Sequence, residues 1–81
     1  MEHDLKTIEP YFTDVLCGDK TFEIRKNDRG FKPFDVLILK EYKRGEFTGR
    51  EIRKKIGYVL EDAEQFGLKD GYVILALHED E

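Results

Sequence analysis

YVILALHE, residues 72–79, is an unbroken apolar run of strand length, bounded by the turn sequence KDG on one side and by acidic residues on the other. Successive side chains of a strand point to opposite faces, so a strand with one wet face alternates apolar and polar residues. This run is apolar at both parities through Leu77. Its place is therefore the middle of a sheet, covered on both faces.

Moving toward the N-terminus, DAEQFGLKDG (62–71) reads as a loop or one short helical turn. In EIRKKIGYVLE (51–61), Ile52, Ile56, Tyr58 and Leu60 share one parity, with Arg53 and Lys55 opposite. That spacing predicts a long strand, and Gly57 within it suggests a bulge or a close backbone approach. KRGEFTG (43–49), punctuated by Gly45 and Gly49, links this strand to DVLILKEY (35–42), which reads as a mostly buried strand. Before it, NDRGFKPFD supplies loop chemistry, and Phe31 and Phe34 can pin that loop to the body.

Lys20 to Lys26 alternates, with Phe22 and Ile24 on one face and Thr21, Glu23 and Arg25 on the other. Residues 10–17 form a two-turn amphipathic helix: Pro10 suits its first position, Phe12, Val15 and Leu16 recur at helical spacing, and Gly18 stops it. So short a helix must pack on a sheet. His3 to Ile8 reads as a first strand with Leu5 and Thr7 inward. The expected fold is α+β and mainly β, a single domain over 1–81. About five strands curl into a partly closed barrel, and a short helix between strands 1 and 2 covers one end.

The net charge is −4, which argues against a protein that simply coats nucleic acid. The distribution says more. Residues 1–19 carry one base and five acids, residues 20–56 twelve bases and six acids, and residues 57–81 one base and seven acids. A fold that gathers the middle on one side would create a local positive field; the plain alternative is a mixed, solvated surface. The single Cys17 excludes an intrachain disulfide and reads as a small buried or half-buried thiol. His3 and His78 stand far apart, and no Cys/His pair has metal-ligand spacing, so no metal or other cofactor is expected. No apolar run approaches a membrane span, and a cytoplasmic monomer with no membrane partner is expected.

The stretch GDKTFEIRKND (18–28) holds the candidate chemistry. Lys20 can anchor a phosphate or, if desolvated, act as a base. Glu23 and Arg25 stand two apart on one strand face, where an exposed pair means little but a pair lining a cleft can read a base edge and hold a phosphate. Lys26, Asn27 and Arg29 carry charge toward Phe31 and Phe34, a mixture of bases and aromatics that suits single-stranded nucleic acid. Those two phenylalanines read more readily as loop anchors than as stacking platforms.

Gly18, Lys20, Glu23 and Arg25, read as GxKxxExR, resemble the signature of the ASCH domains of the PUA-like fold. YFTDVLCGDKTFEIRKNDRGF, TGREI and GLKDGYVILAL extend the similarity to a small bacterial and phage group of ASCH-type domains. The resemblance implies a PUA-like pseudo-barrel that takes RNA or a nucleotide in a cleft formed by Lys20, Glu23, Arg25 and Lys26, with Lys6 as a further candidate because the first strand is expected beside the motif strand. Some ASCH relatives hydrolyse an acylated cytidine with a lysine, a threonine nucleophile and a glutamate. Lys20 matches that lysine, but Glu23 stands where the threonine would. An enzyme built on Lys20 and Glu23 would need the carboxylate to activate water. The alternatives to RNA or nucleotide binding are thus an amidohydrolase acting on a modified cytidine and, from the charge split alone, a protein-interaction domain.

Overall fold

The structure, a computed structural model, describes residues 1–80. Strand β1 (Glu2–Thr7) leads into helix α1 (Tyr11–Leu16). β2 (Phe22–Lys26), β3 (Val36–Lys43), β4 (Glu46–Leu60) and β5 (Tyr72–Glu79) follow, with a 3₁₀ turn over Ala63–Phe66 before the last strand. The five strands form one sheet in the order β1-β3-β4-β5-β2, curled into a half-barrel with the helix between strands 1 and 2. β5 lies between β4 and β2, as its composition requires, though Tyr72, Ile74 and Ala76 on its outer parity are only half-buried.

The sheet's inner face holds the core. Leu5 of β1, Leu37 and Leu39 of β3, Ile56 of β4 and Val73, Leu75 and Leu77 of β5 meet Val15 of α1 and Phe31 of the β2–β3 loop. Phe31 does pin that loop. Phe34 does not: it is largely exposed and holds a left-handed backbone at φ 77°. The Cys17 thiol, expected buried, is exposed because α1 ends there and turns its C-terminal residues to solvent.

Two local departures set the course of β4. The strand begins at Glu46 rather than at 51, because Arg44 and Gly45 both take positive φ (53° and 83°) and close a two-residue hairpin that pairs Lys43 with Glu46. At Gly57 the register against β5 shifts between Ile56 and Tyr58, a bulge that reverses the parity of everything after it. Ile56 faces the core. Tyr58 and Leu60, expected on the same stripe, emerge on the outer face while Val59 packs inward.

β1 pairs in parallel with β3, not with the motif strand β2. β1 and β2 are thus the two edges of the half-barrel, and the seam between them is crossed by side chains. Arg25 Nη2 donates to the Lys6 carbonyl at 2.9 Å, and Arg29 Nη1 donates to the Asp4 carbonyl at 2.6 Å.

Candidate functional site

The open seam forms a cleft of about 740 Å³ between the end of β1, α1 and β2. Its shape begins with the end of the helix. Gly18, at φ 87°, turns the chain, and the Lys20 N–H donates to the Asp14 carbonyl, which delivers Lys20 to the cleft before β2 starts.

Glu23 pairs across the ladder with Leu75 and so shares the core face of the sheet. It is only 4% exposed. A lone carboxylate there would be costly, and two cations compensate it. Lys20 Nζ donates to Oε1 at 2.7 Å and to the Phe22 carbonyl at 2.7 Å, while Arg25 Nε donates to Oε2 at 3.1 Å. Through its other arm Arg25 reaches the Lys6 carbonyl, so one network runs from the turn after α1 across β2 to the edge of β1. Near the core face the cleft has a charged floor; Ile8, Tyr11, Phe22 and Ile24 give it an apolar wall. The Lys20 ammonium also lies 5.7 Å from the Tyr11 ring centroid and 5.1 Å from that of Phe22.

Of the candidates, Lys20, Glu23 and Arg25 converge. Lys6 lines the cleft but contributes its carbonyl there; its ammonium sits over the Tyr42 ring at 4.5 Å. Lys26 pairs with Tyr72, is exposed and lies outside the lining. Tyr11, Asp14 and Asp19 line the cleft without having stood out in the sequence. Tyr11 was hidden because a lone aromatic at a helix start looks like packing. With Asp14, Asp19 and Glu23 set against the side chains of Lys20 and Arg25, the cleft carries no excess of positive charge.

Three cations of the basic middle find counterions in the acidic ends. Arg53 bridges Glu2 and Asp80, Lys54 bonds Glu79, and Lys40 meets Asp4. Two buried carboxylates away from the cleft also passed unnoticed in the sequence. Asp35 bonds the buried His3 ring at 2.9 Å, the Lys32 N–H and the terminal amine; burial pushes its pKa up, but those bonds outweigh it and leave the pKa lowered. Glu41 accepts from Arg50 and Thr48, which hold its pKa down at about 2 against the opposing effect of burial. Arg50 is raised in turn by Glu41 and stacks over Phe12. Both networks fasten strand ends to neighbouring elements. Among the described residues no cluster of side chains could hold a metal ion, and no helix is long and apolar enough to cross a membrane.

Fold and site together define a mainly-β half-barrel with a cleft of mixed charge at its seam. The chain belongs to the family described as a domain of unknown function, DUF3850, whose model matches residues 2–77. It is similar to an uncharacterised 12.9 kDa protein in the GpA 3′ region of Escherichia phage P2, with 44% identity over 54 residues, which make up 67% of this chain and 50% of that protein. The match spans about half the length of that curated relative.

Proposed function

We propose that this chain is an ASCH-type, PUA-like module that acts in the cytoplasm and binds RNA or a nucleotide by taking one base into the cleft. The observation that carries this reading is the buried Glu23 carboxylate, fixed by Lys20 and Arg25 at the floor of an open cleft walled by Tyr11. A carboxylate held in one orientation accepts from an exocyclic amino group, while Tyr11 offers a stacking face and the remaining donors of Lys20 and Arg25 meet ring acceptors or a phosphate. Three carboxylates against two cations in the lining favour a base over a run of phosphates.

Fluorescence titration of short labelled RNAs and of single nucleotides at two salt concentrations tests this. Tyr11→Ala is expected to weaken binding by about fivefold or more, in line with the loss of one stacked base. Lys20→Ala and Arg25→Ala weaken it too, and Lys26→Ala changes it little. Salt has a shallow effect, on the order of one phosphate contact. Absence of binding at low salt to every nucleotide and RNA tested overturns the reading.

The 2.7 Å contact between Lys20 and Glu23 favours a second reading, hydrolysis of an acylated cytidine with Glu23 activating water and Lys20 supplying a proton. Release of free cytidine, lost in Glu23→Gln, would select it. The charge split that suggested a protein-interaction domain is met in part within the chain, where Lys40, Arg53 and Lys54 pair with acids of the two ends.

A further inference from the structure

The carboxylate at the floor of the cleft is only half used. A carboxylate offers about four acceptor sites, two on each oxygen. In Glu23 each oxygen takes one cation: Oε1 accepts from Lys20 Nζ at 2.7 Å, and Oε2 accepts from Arg25 Nε at 3.1 Å. Among the described residues neither oxygen has a second partner, so one acceptor site stays open on each, in a side chain that lines the cleft. The two cations are part-used as well. Lys20 Nζ donates a second proton to the Phe22 carbonyl and keeps a third, while Arg25 Nη2 donates to the Lys6 carbonyl and the rest of the guanidinium keeps its protons. Side by side, the floor presents a donor, two acceptors and a donor, in the order Lys20, Oε1, Oε2, Arg25.

Resting on the reading of the cleft as a base site, we propose that the base it selects is guanine. The guanine edge runs O6, N1–H, the N2 amino group and N3, which is an acceptor, two donors and an acceptor. It is the complement of the floor. Lys20 donates to O6, the two Glu23 oxygens accept from N1–H and from the N2 amino group, and Arg25 donates to N3. No other standard base carries N–H groups on two neighbouring positions. Adenine and cytosine offer one amino group beside a ring acceptor, and uracil offers one N–H between two carbonyls. Each of them would set an acceptor against a Glu23 oxygen and leave that oxygen desolvated without a donor.

The rest of the lining agrees with this orientation. Asp14 and Asp19 adjoin Lys20, whose N–H bonds the Asp14 carbonyl, whereas Arg25 reaches toward β1. The ribose of guanosine is attached next to N3. With O6 at Lys20, the sugar and its phosphates therefore leave on the Arg25 side, away from both aspartates. Tyr11 and Phe22, with ring centroids 5.7 and 5.1 Å from the Lys20 ammonium, wall that end of the cleft with apolar faces on which a purine can stack. An arginine side chain also carries paired N–H groups, but it has no acceptor for Lys20 or Arg25 and would add a further positive charge between them.

Fluorescence anisotropy of labelled pentauridylates, whose central nucleotide is guanosine, inosine, N1-methylguanosine, adenosine, cytidine or uridine, gives the test. On the wild-type protein the guanosine oligonucleotide is expected to bind about tenfold or more tighter than each of the others. Inosine lacks only the N2 amino group and N1-methylguanosine lacks the N1 proton, so the two read the two Glu23 oxygens separately. These comparisons leave the protein unaltered, and folding does not enter them. Glu23→Gln, checked for an unchanged circular dichroism spectrum, turns one acceptor into a donor and is expected to bring guanosine and inosine within about twofold of each other. Equal wild-type affinity for the guanosine and inosine oligonucleotides, or affinity for the adenosine or cytidine one matching that for guanosine, overturns the guanine assignment and leaves base binding in place. No binding to any of the six overturns both.

Discussion

Glu41 and Glu23 illustrate two ways of keeping a carboxylate inside a small β-protein. Glu23 sits between Lys20 and Arg25 at an open cleft, where the cations keep donors free for a ligand. Glu41 is closed off by Arg50 and Thr48 and serves the fold. Its pKa is lowered from 4.5 to about 2, first by the Arg50 hydrogen bond and then by Thr48, so the folded state favours the charged form. The unfolded chain binds the proton more readily than the native one below the ordinary carboxylate pKa. Glu41 therefore contributes stability that is complete above 4.5 and lost as the pH falls from 4.5 toward 2. Asp35, also lowered, acts in the same direction. Thermal melts across that window should show a falling midpoint in the wild type and a flatter profile in Glu41→Gln; equal slopes would mean that Glu41 does not carry the effect. Neither acid was legible from the sequence. Each lies at a position where strand alternation gives the parity but not the partner, and the partners stand nine and thirty-two residues away.

Gly57 is the element-scale feature that the sequence did announce, because a glycine inside a strand marks a bulge or a close approach, and here it marks both. A Cβ built on Gly57 would lie 2.3–2.6 Å from three atoms of the His78 imidazole, so the ring rests on the bare backbone where β4 and β5 shift register. Gly57→Ala should cost about 1 kcal/mol, at the low end for overpacking because the His78 ring is near the surface and can turn aside. In a His78→Ala background the same change should be neutral or slightly stabilising, since the alanine then only restricts the unfolded chain. Urea denaturation of the four proteins measures the coupling, and an equal cost in both backgrounds would remove His78 as the cause. What the sequence could not convey was the consequence of the bulge. Ile56, Tyr58 and Leu60 look like one stripe by strict alternation, yet the extra residue puts Ile56 in the core and the other two outside. In β2, too, alternation gave two faces without saying which was inner. Glu23 could take the core face because Lys20, three residues earlier, and Arg25, two residues later, are long enough to follow it.

At the scale of the molecule, the strand count and the helix position were readable, because both follow from local periodicity. The strand order was not, because it depends on which distant segments meet. Strands β1 and β2, expected side by side, are the two free edges of a half-barrel, and guanidinium groups cross the seam: Arg25 of β2 on the Lys6 carbonyl and Arg29 of the following loop on the Asp4 carbonyl. The site is thus built on the least tightly closed part of the fold, and the same Arg25 that orients Glu23 also holds the seam. Water can take over an exposed carbonyl, so Arg29→Ala should cost only about 1 kcal/mol, below the range for bonds to charged donors in buried settings. The kinetic consequence should be larger locally than globally. β1 has a backbone ladder with β3 alone, so without Arg29 its amides are expected to exchange several-fold faster, while those of β4 and β5 keep the protection of the global fold. Hydrogen exchange followed by mass spectrometry would resolve the two. Uniform acceleration across all strands would mean that the seam opens only when the whole domain unfolds, and the cleft would then be a fixed groove rather than one whose width Arg25 and Arg29 set.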